Sequence, residues 1–251
     1  MILALLLLAF APIPNVRLNP QTVKEFQAYM EVADRAMVSR AVGNTRLPLL
    51  PDGVPKIEAW EANTPRDVTD GMIHDWIAAV FVPGAKVEDV VSVLKDYGRY
   101  PSIYQPDVLQ VKLLSENGNR RKIVMRTVKT KVFTVILDID YDIEYRTLPN
   151  GRVQVWSRST AIREVDNAGK PNETRSAPDR NAGFLWALNT YWQLEQRDGG
   201  VYMECRAVSL TRGIPMGAGW VVKPMVTALP FESLTNTLTM TRTAVELRLK
   251  R

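Results

Sequence analysis

Histidine and cysteine are almost absent from this sequence, which holds one of each, His74 and Cys205. A single cysteine excludes an internal disulfide framework and any metal site built from several cysteines. A single histidine excludes a His-rich zinc site, and a Ser-His-Asp triad would have to use His74. Both lie in apolar, strand-like segments, which favours a structural His74 and a buried structural thiol at Cys205. We therefore predict no metal, no cofactor and no defined catalytic residue.

A strong excess of one sign of charge is also lacking. The sequence has 32 Lys and Arg residues and 27 Asp and Glu residues, for a net charge of +5. This excess is weak evidence for a polyanionic partner. Strand alternation places the basic run 120–131 opposite an acidic ladder, Asp138, Asp140 and Asp142, on one outer sheet face. Stacking aromatics do not interrupt the basic run, so we predict no nucleic-acid partner. The three aspartates are spaced about 6.5–7 Å along the strand, too far apart to share an ion.

Long hydrophobic runs are limited to residues 1–11, MILALLLLAFA. This run is short for a membrane span, has the length of a signal-peptide core and ends in Ala-x-Ala. It lacks a preceding Lys or Arg, and Pro12 follows the expected cleavage point. We interpret residues 1–16 as a signal peptide or membrane anchor, with a buried N-terminal helix as the alternative. The protein is accordingly predicted to be exported, to a periplasm or outside the cell.

Residues 17–70 form a predicted extension that precedes the main domain. Asn19-Pro20 is typical of a helix N-cap followed by proline in the first turn. Apolar residues then recur at helical spacing through about residue 40. The segment 43–70 contains four prolines and is predicted to be a connector with one short strand at 57–62.

From Gly71 onward, strand patterns dominate until one long C-terminal helix. A strand at 72–82 precedes a short helix at 87–94, and the prolines at 101 and 106 allow only a turn or two of helix between them. A polar segment, 166–182, is predicted to be a mobile loop. The closing helix, 220–249, is predicted to kink at Pro224 or Pro230. The predicted strands in between are 107–115, 121–129, 132–147, 152–164, and two that flank Asp198-Gly199.

The hairpin at Asp198-Gly199 has a defined register, since a two-residue turn of this type requires positive φ at both positions. It pairs Leu194 with Met203, Trp192 with Cys205, and Thr190 with Ala207. Large residues on one strand therefore adjoin small ones on the next. Such a face either packs tightly on a helix or leaves space beneath it. Phe184, Trp186 and Leu188 are predicted to share this face.

A second hairpin suggests a polar group on the inner surface. If Asn150-Gly151 is a two-residue turn, Tyr145 lies opposite Trp156, Ile143 opposite Arg158, and Tyr141 opposite Thr160. The hypothesis is that Arg158 binds an anionic or carbonyl head group with help from Thr160 and Tyr141. The alternative is a register slip at a bulge that leaves Arg158 in solvent.

The same register pairs Asp138 with Arg163 on the outer face. A three-residue loop at 129–131 would place Lys122 opposite Asp138 and Arg120 opposite Asp140. These cross-strand pairs predict a self-compensating, solvated surface.

The order of elements, the segment Asp96-Tyr97…Tyr100-Pro101…Tyr104-Gln105-Pro106-Asp107-Val108 and the closing helix resemble the START/Bet v 1-like superfamily, also called SRPBCC. The resemblance covers residues 71–251. It implies an α+β helix-grip fold, in which a curved, seven-stranded antiparallel sheet wraps a long C-terminal helix, here with an N-terminal helical extension. It also implies a cavity for a lipid, sterol or polyketide-like molecule.

Binding or transfer of such a ligand is favoured over catalysis, with possible contact at a membrane surface during exchange. One alternative is a cyclase or dehydratase on the same fold, for which only Arg158, Tyr141 and His74 are acid or base candidates. Another is a cavity-free domain for protein contacts. The predicted cavity-lining residues are Tyr141, Ile143, Tyr145, Trp156, Arg158, Thr160, Trp186, Leu188, Trp192, Leu194 and Met203.

Overall fold

The computed structural model describes residues 18–130, 134–177, 183, 185–213 and 219–250, apart from the side chains of 52 and 219–227. The predicted signal peptide or anchor lies outside these residues, as does Phe184. The helices are α1 Pro20–Val42, α2 Val87–Lys95, α3 Tyr100–Ile103 and α4 Gly219–Leu249. The strands are β1 Lys56–Ala59, β2 Arg66–Val68, β3 Gly71–Pro83, β4 Val108–Asn117, β5 Arg120–Thr130, β6 Thr134–Thr147, β7 Val153–Asp166, β8 Thr174–Arg175, β9 Leu185–Arg197 and β10 Gly200–Arg212.

One antiparallel sheet organises the described residues, with strand order β1-β3-β10-β9-β7-β6-β5-β4. The short strands β2 and β8 pair with β3 and β7. The seven long strands are those that the alternation predicted. The three others are two to four residues long: β1 overlaps the short strand predicted at 57–62, and β2 and β8 lie in the predicted connector and loop. The helix-grip α+β fold is therefore confirmed with ten strands in place of seven.

The sheet has two covered faces. On the inner face, α2 and α4 enclose the larger core, to which α4 contributes Leu234, Leu238 and Val245. These residues recur at helical spacing, which explains why one stripe of α4 is buried. The helix continues as one element through Pro224 and Pro230. On the outer face, α1 buries Phe26, Met30 and Met37 against the sheet.

The N-terminal helix begins where the sequence predicted. The Asn19 side chain accepts a hydrogen bond from the Gln21 backbone N–H at 2.8 Å, and Pro20 occupies the first helical position. This cap satisfies a backbone donor that would otherwise lack a partner. The buried residues of α1 match the predicted apolar stripe.

The hairpin between β9 and β10 has the predicted register, with Leu194 opposite Met203, Trp192 opposite Cys205, and Thr190 opposite Ala207. Its turn has positive φ at both Asp198 (52°) and Gly199 (73°). That conformation matches the right-handed twist of the flanking strands.

The hairpin between β6 and β7 differs from the prediction by one residue. The Leu148 N–H donates to the Arg152 carbonyl and the Gly151 N–H to the Leu148 carbonyl, so the turn contains three residues, 149–151. Tyr145 therefore pairs with Val155 and Ile143 with Ser157. A one-residue shift moves every side chain of the strand to the opposite face.

The shift places Trp156 and Arg158 on the outer face, so their predicted inner position was wrong. At Thr160 the register changes between Asp140 and Tyr141, which leaves the Thr160 side chain exposed rather than facing the cavity. Past this bulge the predicted register is restored, and Asp138 lies opposite Arg163.

Two further predictions need correction. Trp186 was predicted on the inner face, but a register shift between Leu210 and Thr211 places it in the outer core beside Phe26. The pairing of Lys122 with Asp138 and of Arg120 with Asp140 was also wrong. Thr130 lies opposite Thr134, and the predicted loop at 129–131 falls partly on residues 131–133, which lie outside the described residues.

The observed register between β5 and β6 differs from the predicted one by an even number of residues, so the acidic ladder still faces the basic side chains. Lys122 approaches Asp142 at 3.3 Å and Arg126 approaches Asp138 at 2.7 Å. The segment predicted to be a mobile loop also contributes: Glu173 accepts hydrogen bonds from Arg126 at 2.9 and 3.0 Å. Residues 178–182 of that segment lie outside the described residues.

Candidate functional site

A cavity of about 520 Å³ lies between the inner face of the sheet and α4. Its walls come from β5, β6, β7, β9 and β10 on one side and from α4 on the other. Most of the lining side chains are aliphatic or aromatic. Both the volume and the apolar lining are typical of sites that hold a small organic molecule.

The bulky-beside-small pattern of the β9–β10 hairpin produces part of this space. Trp192 and Leu188 line the cavity from β9, and Cys205 and Ala207 line it from β10. The small β10 residues leave volume that α4 does not fill. Burial raises the pKa of the Cys205 thiol, which is consistent with an unreactive, neutral side chain.

Four of the predicted site residues line the cavity: Tyr141, Ile143, Leu188 and Trp192. Three others belong to the surrounding inner core without reaching the cavity wall, namely Tyr145, Leu194 and Met203. The remaining four are elsewhere. Trp156, Arg158 and Trp186 lie on the outer face, and Thr160 is exposed at the bulge.

A cluster of tyrosines from the segment 97–104 borders the cavity near α2. Tyr100 donates to the Leu94 carbonyl at 2.7 Å, and Tyr104 lies 3.0 Å from the Thr241 hydroxyl on α4. Tyr145 also donates to the Leu94 carbonyl, at 2.8 Å. Burial raises the pKa of Tyr104 to about 12, so this phenol is neutral at physiological pH. These bonds tie α2, α3 and α4 into one wall.

The described cavity wall has few charged groups. Lys129 and Asp107 pair with each other at 2.5 Å. Glu164 lies at the end of β7, and burial followed by the nearby Asp166 raises its carboxyl pKa. The Arg212 Nη1 atom has no hydrogen-bond partner within the described chain. The rest of the wall is neutral.

His74 is fully buried behind this wall. Its Nε2 atom lies 2.9 Å from the Thr211 hydroxyl, while its Nδ1 atom has no partner among the described residues. Burial lowers the pKa of His74 to about 4. The imidazole is therefore neutral near pH 7, and Thr211 separates it from the cavity.

Arg158 was predicted to bind a ligand head group, but in the structure it pairs with Asp34. Its Nη2 atom lies 2.7 Å from both carboxylate oxygens of Asp34 on α1, and the Tyr191 hydroxyl donates to the same carboxylate at 2.5 Å. Arg158 thus fastens α1 to the outer face. The three acid or base candidates, Arg158, Tyr141 and His74, do not converge on one point in the cavity.

Sequence reasoning missed several cavity-lining residues. Ser157 was not nominated, because the one-residue error in the turn gave the inner positions to Trp156 and Arg158. Thr190 and Ala207 were paired correctly but were not nominated for the site, and Tyr100 and Tyr104 were used only as a motif. The α4 contributors were not nominated either: Leu229, Pro230, Ser233, Leu234, Thr237 and Met240.

Comparison with known proteins supports the fold. The sequence matches no protein-family model, and no curated protein is significantly similar. Human STARD10 aligns with a TM-score of 0.52 at 11% identity, over 86% of this chain and 81% of that one. The lipid transfer and protein localization domain of human StarD13 aligns at 0.51 and 12% identity, over 92% and 98%.

The Zhui aromatase/cyclase from Streptomyces sp. R1128 aligns at a TM-score of 0.48 with 14% identity, over 70% of this chain and 96% of that one. The two human domains, with the higher scores, show that this chain has a START-like fold. None of the helices that the structure describes is long and apolar enough to cross a membrane.

Proposed function

We propose that this chain binds a hydrophobic small molecule between the sheet and α4 and carries or transfers it. The observation behind this proposal is the mostly apolar cavity of about 520 Å³. A volume of this size lies within the range of roughly 300–1,000 Å³ that is typical of drug-sized ligands. The START-like fold and its similarity to the StarD13 lipid transfer domain support the same interpretation.

Carriage is favoured over the cyclase or dehydratase alternative by the positions of the candidate residues. Acid–base catalysis requires groups within hydrogen-bond reach of the reacting atoms. Arg158 is on the opposite face of the sheet, and His74 lies behind Thr211. Tyr141 is the one member of the three candidates that lines the cavity.

The proposal is tested by Nile red, a neutral apolar dye whose fluorescence rises in apolar surroundings. We expect saturable binding of one dye to the wild-type protein. Ala207→Trp would place an indole in the cavity, and we expect it to weaken binding at least about tenfold. Val38→Trp, at an exposed position on α1, is the matched control and should bind normally.

Thermal unfolding of both tryptophan variants establishes that each one folds. Binding that is equally strong in both variants would place the dye outside the cavity. The absence of dye binding to the wild-type protein would refute the proposed function itself.

We propose further that residues 1–16 direct export and that ligand exchange occurs at a membrane surface. The first part depends on the apolar run ending in Ala-x-Ala. Intact mass measurement after cell fractionation tests it. Loss of about 11 residues, as expected for cleavage after Ala-x-Ala, or recovery in the membrane fraction, is expected, whereas a full-length soluble protein in the cytosol would contradict export.

A further inference from the structure

Four cavity-lining hydroxyl groups come from four consecutive strands of the sheet. They belong to Tyr141 on β6, Ser157 on β7, Thr190 on β9 and Ser209 on β10. We call these residues the hydroxyl row. Each side chain faces the inner side of the sheet, where the remaining lining is mostly apolar.

The strand register makes the row continuous. Ser157 lies directly opposite Thr190. Tyr141 is opposite Ser159, two residues from Ser157, and Thr190 is opposite Ala207, two residues from Ser209. Such diagonal neighbours lie roughly 7–8 Å apart. Three steps between strands at about 4.8 Å each give a row roughly 14 Å long.

None of the four hydroxyls has a hydrogen-bond partner within the described part of the protein. Other hydroxyls around the cavity are satisfied: Thr237 donates to the Ser233 carbonyl at 2.8 Å, and Thr211 contacts His74 at 2.9 Å. Thr127 and Ser233 also line the cavity without a side-chain partner but lie off the row. Hydroxyl groups in a mostly apolar space are costly unless something in that space bonds to them.

The row is also uncharged. Burial raises the pKa of the Tyr141 phenol, so that side chain remains a neutral donor. The charged residues on the described wall are Asp107, Lys129, Glu164 and Arg212, and each lies off the row. A row of neutral hydroxyls can donate to or accept from hydroxyl and carbonyl oxygens, but it provides no counter-ion for a charged head group.

We propose that the ligand is a neutral, mostly apolar molecule with hydroxyl or carbonyl oxygens along one edge, and that Tyr141, Ser157, Thr190 and Ser209 bind those oxygens. This inference rests on the proposed function, because it requires that the cavity is occupied. It adds the chemical class of the ligand and the residues that select it.

The test compares 2,7-dihydroxynaphthalene, which has two hydroxyls on one edge, with naphthalene, which has none. Their affinities are measured by displacement of Nile red from the wild-type protein. They are then measured on a variant that combines Tyr141→Phe, Ser157→Ala, Thr190→Val and Ser209→Ala. These substitutions remove the hydroxyls with little change in shape.

The wild-type protein should prefer the dihydroxy compound by about tenfold or more, as expected for one or two net hydrogen bonds. The variant should lose that preference while its affinity for naphthalene stays within about threefold. Its thermal midpoint should not fall, since the removed hydroxyls make no bonds to the described protein. That readout separates ligand recognition from a structural role.

Equal affinities for the two compounds in the wild-type protein, or a preference that persists in the variant, would overturn the inference while leaving the proposed function intact. If neither compound displaces Nile red, their affinities are taken as equal, and the inference is overturned. A wild-type protein that does not bind Nile red would instead refute the proposed function, and the inference with it.

Discussion

The inner and outer faces of the same sheet are covered by helices in different ways. On the inner face, α4 rests on aliphatic and aromatic side chains and leaves a cavity of about 520 Å³. On the outer face, beneath α1, there are buried ion pairs as well as apolar contacts, one between two strands of the sheet and one between α1 and the sheet. Arg206 and Asp75 are each 1% exposed and approach to 2.5 Å, and Arg40 pairs with the fully buried Glu204 at 2.6 Å.

The difference indicates how the two faces divide their roles. A buried ion pair fixes a single geometry, because either partner without the other is strongly unfavourable. An apolar cavity imposes no such requirement and accepts a ligand of suitable shape. This contrast indicates a structural role for the outer face and supports the proposed ligand binding at the inner face.

Removing one member of the buried outer pair should have the largest effect on stability. Arg206→Met leaves Asp75 buried with the Tyr29 hydroxyl, at 2.7 Å, as the one donor to its carboxylate among the described residues. We expect the free energy of unfolding to fall by about 3–5 kcal/mol in denaturant titrations. The double variant Asp75→Leu/Arg206→Met should recover most of this loss. A single variant that loses less than about 1 kcal/mol would contradict the structural role of the outer face.

Acid should destabilise the protein through His74, next to the inner cavity. Its pKa is lowered to about 4 in the fold from 6.5, so the unfolded chain binds more protons between these values. Stability should therefore decrease as the pH falls from about 6.5 to about 4, by up to about 1.4 kcal/mol per pH unit.

Urea titrations of the wild type and of His74→Gln across that range measure this effect. The variant should lose most of the slope between about pH 6.5 and pH 5, where few carboxylates titrate. Parallel curves for the two proteins would show that His74 does not determine the pH dependence.

A smaller effect is expected from the pair between Arg158 and Asp34, because both side chains are about a third exposed, at 37% and 32%. Arg158→Met should lower the free energy of unfolding by about 1 kcal/mol or less, since solvent screens the pair. Affinity for Nile red should not change. A loss of affinity greater than about tenfold would instead restore the hypothesis that Arg158 serves the cavity.

The smallest effect is expected on the exposed ion ladder between β5 and β6. Lys122 and Asp142 are 62% and 50% exposed and 3.3 Å apart. Lys122→Met should change the thermal midpoint by about 1–2 °C or less, and the difference should shrink at high salt. A larger shift that persists at high salt would show that this surface ion pair stabilises the fold more than a solvent-screened pair does.

The fold was predictable because local sequence patterns determined where the long strands lie and how one hairpin pairs. Alternation located the seven long strands, and Asp198-Gly199 fixed the register of β9 and β10. The errors in strand register that affected the site came from one extra residue in a turn or at a bulge. Asn150-Gly151 is compatible with two-residue and three-residue turns, and the sequence alone does not distinguish them.

The site was harder to predict because bulges alter which face a side chain occupies. The bulges at Thr160 and Trp186 have no distinctive sequence pattern, yet each moves neighbouring residues across the sheet. The error at 149–151 placed Arg158 on the inner face, whereas in the structure Ser157 faces the cavity. The predicted site therefore contained the charged Arg158, and the observed cavity wall contains Ser157 of the hydroxyl row instead.

Native mass spectrometry of the purified protein, followed by extraction of any bound molecule, tests the division of roles most directly. We expect one neutral small molecule per chain in the wild type and in Arg158→Met, and none in Ala207→Trp. Retention of the molecule by Ala207→Trp, or its loss from Arg158→Met alone, would contradict the account. So would a wild-type protein that is empty and also fails to take up Nile red.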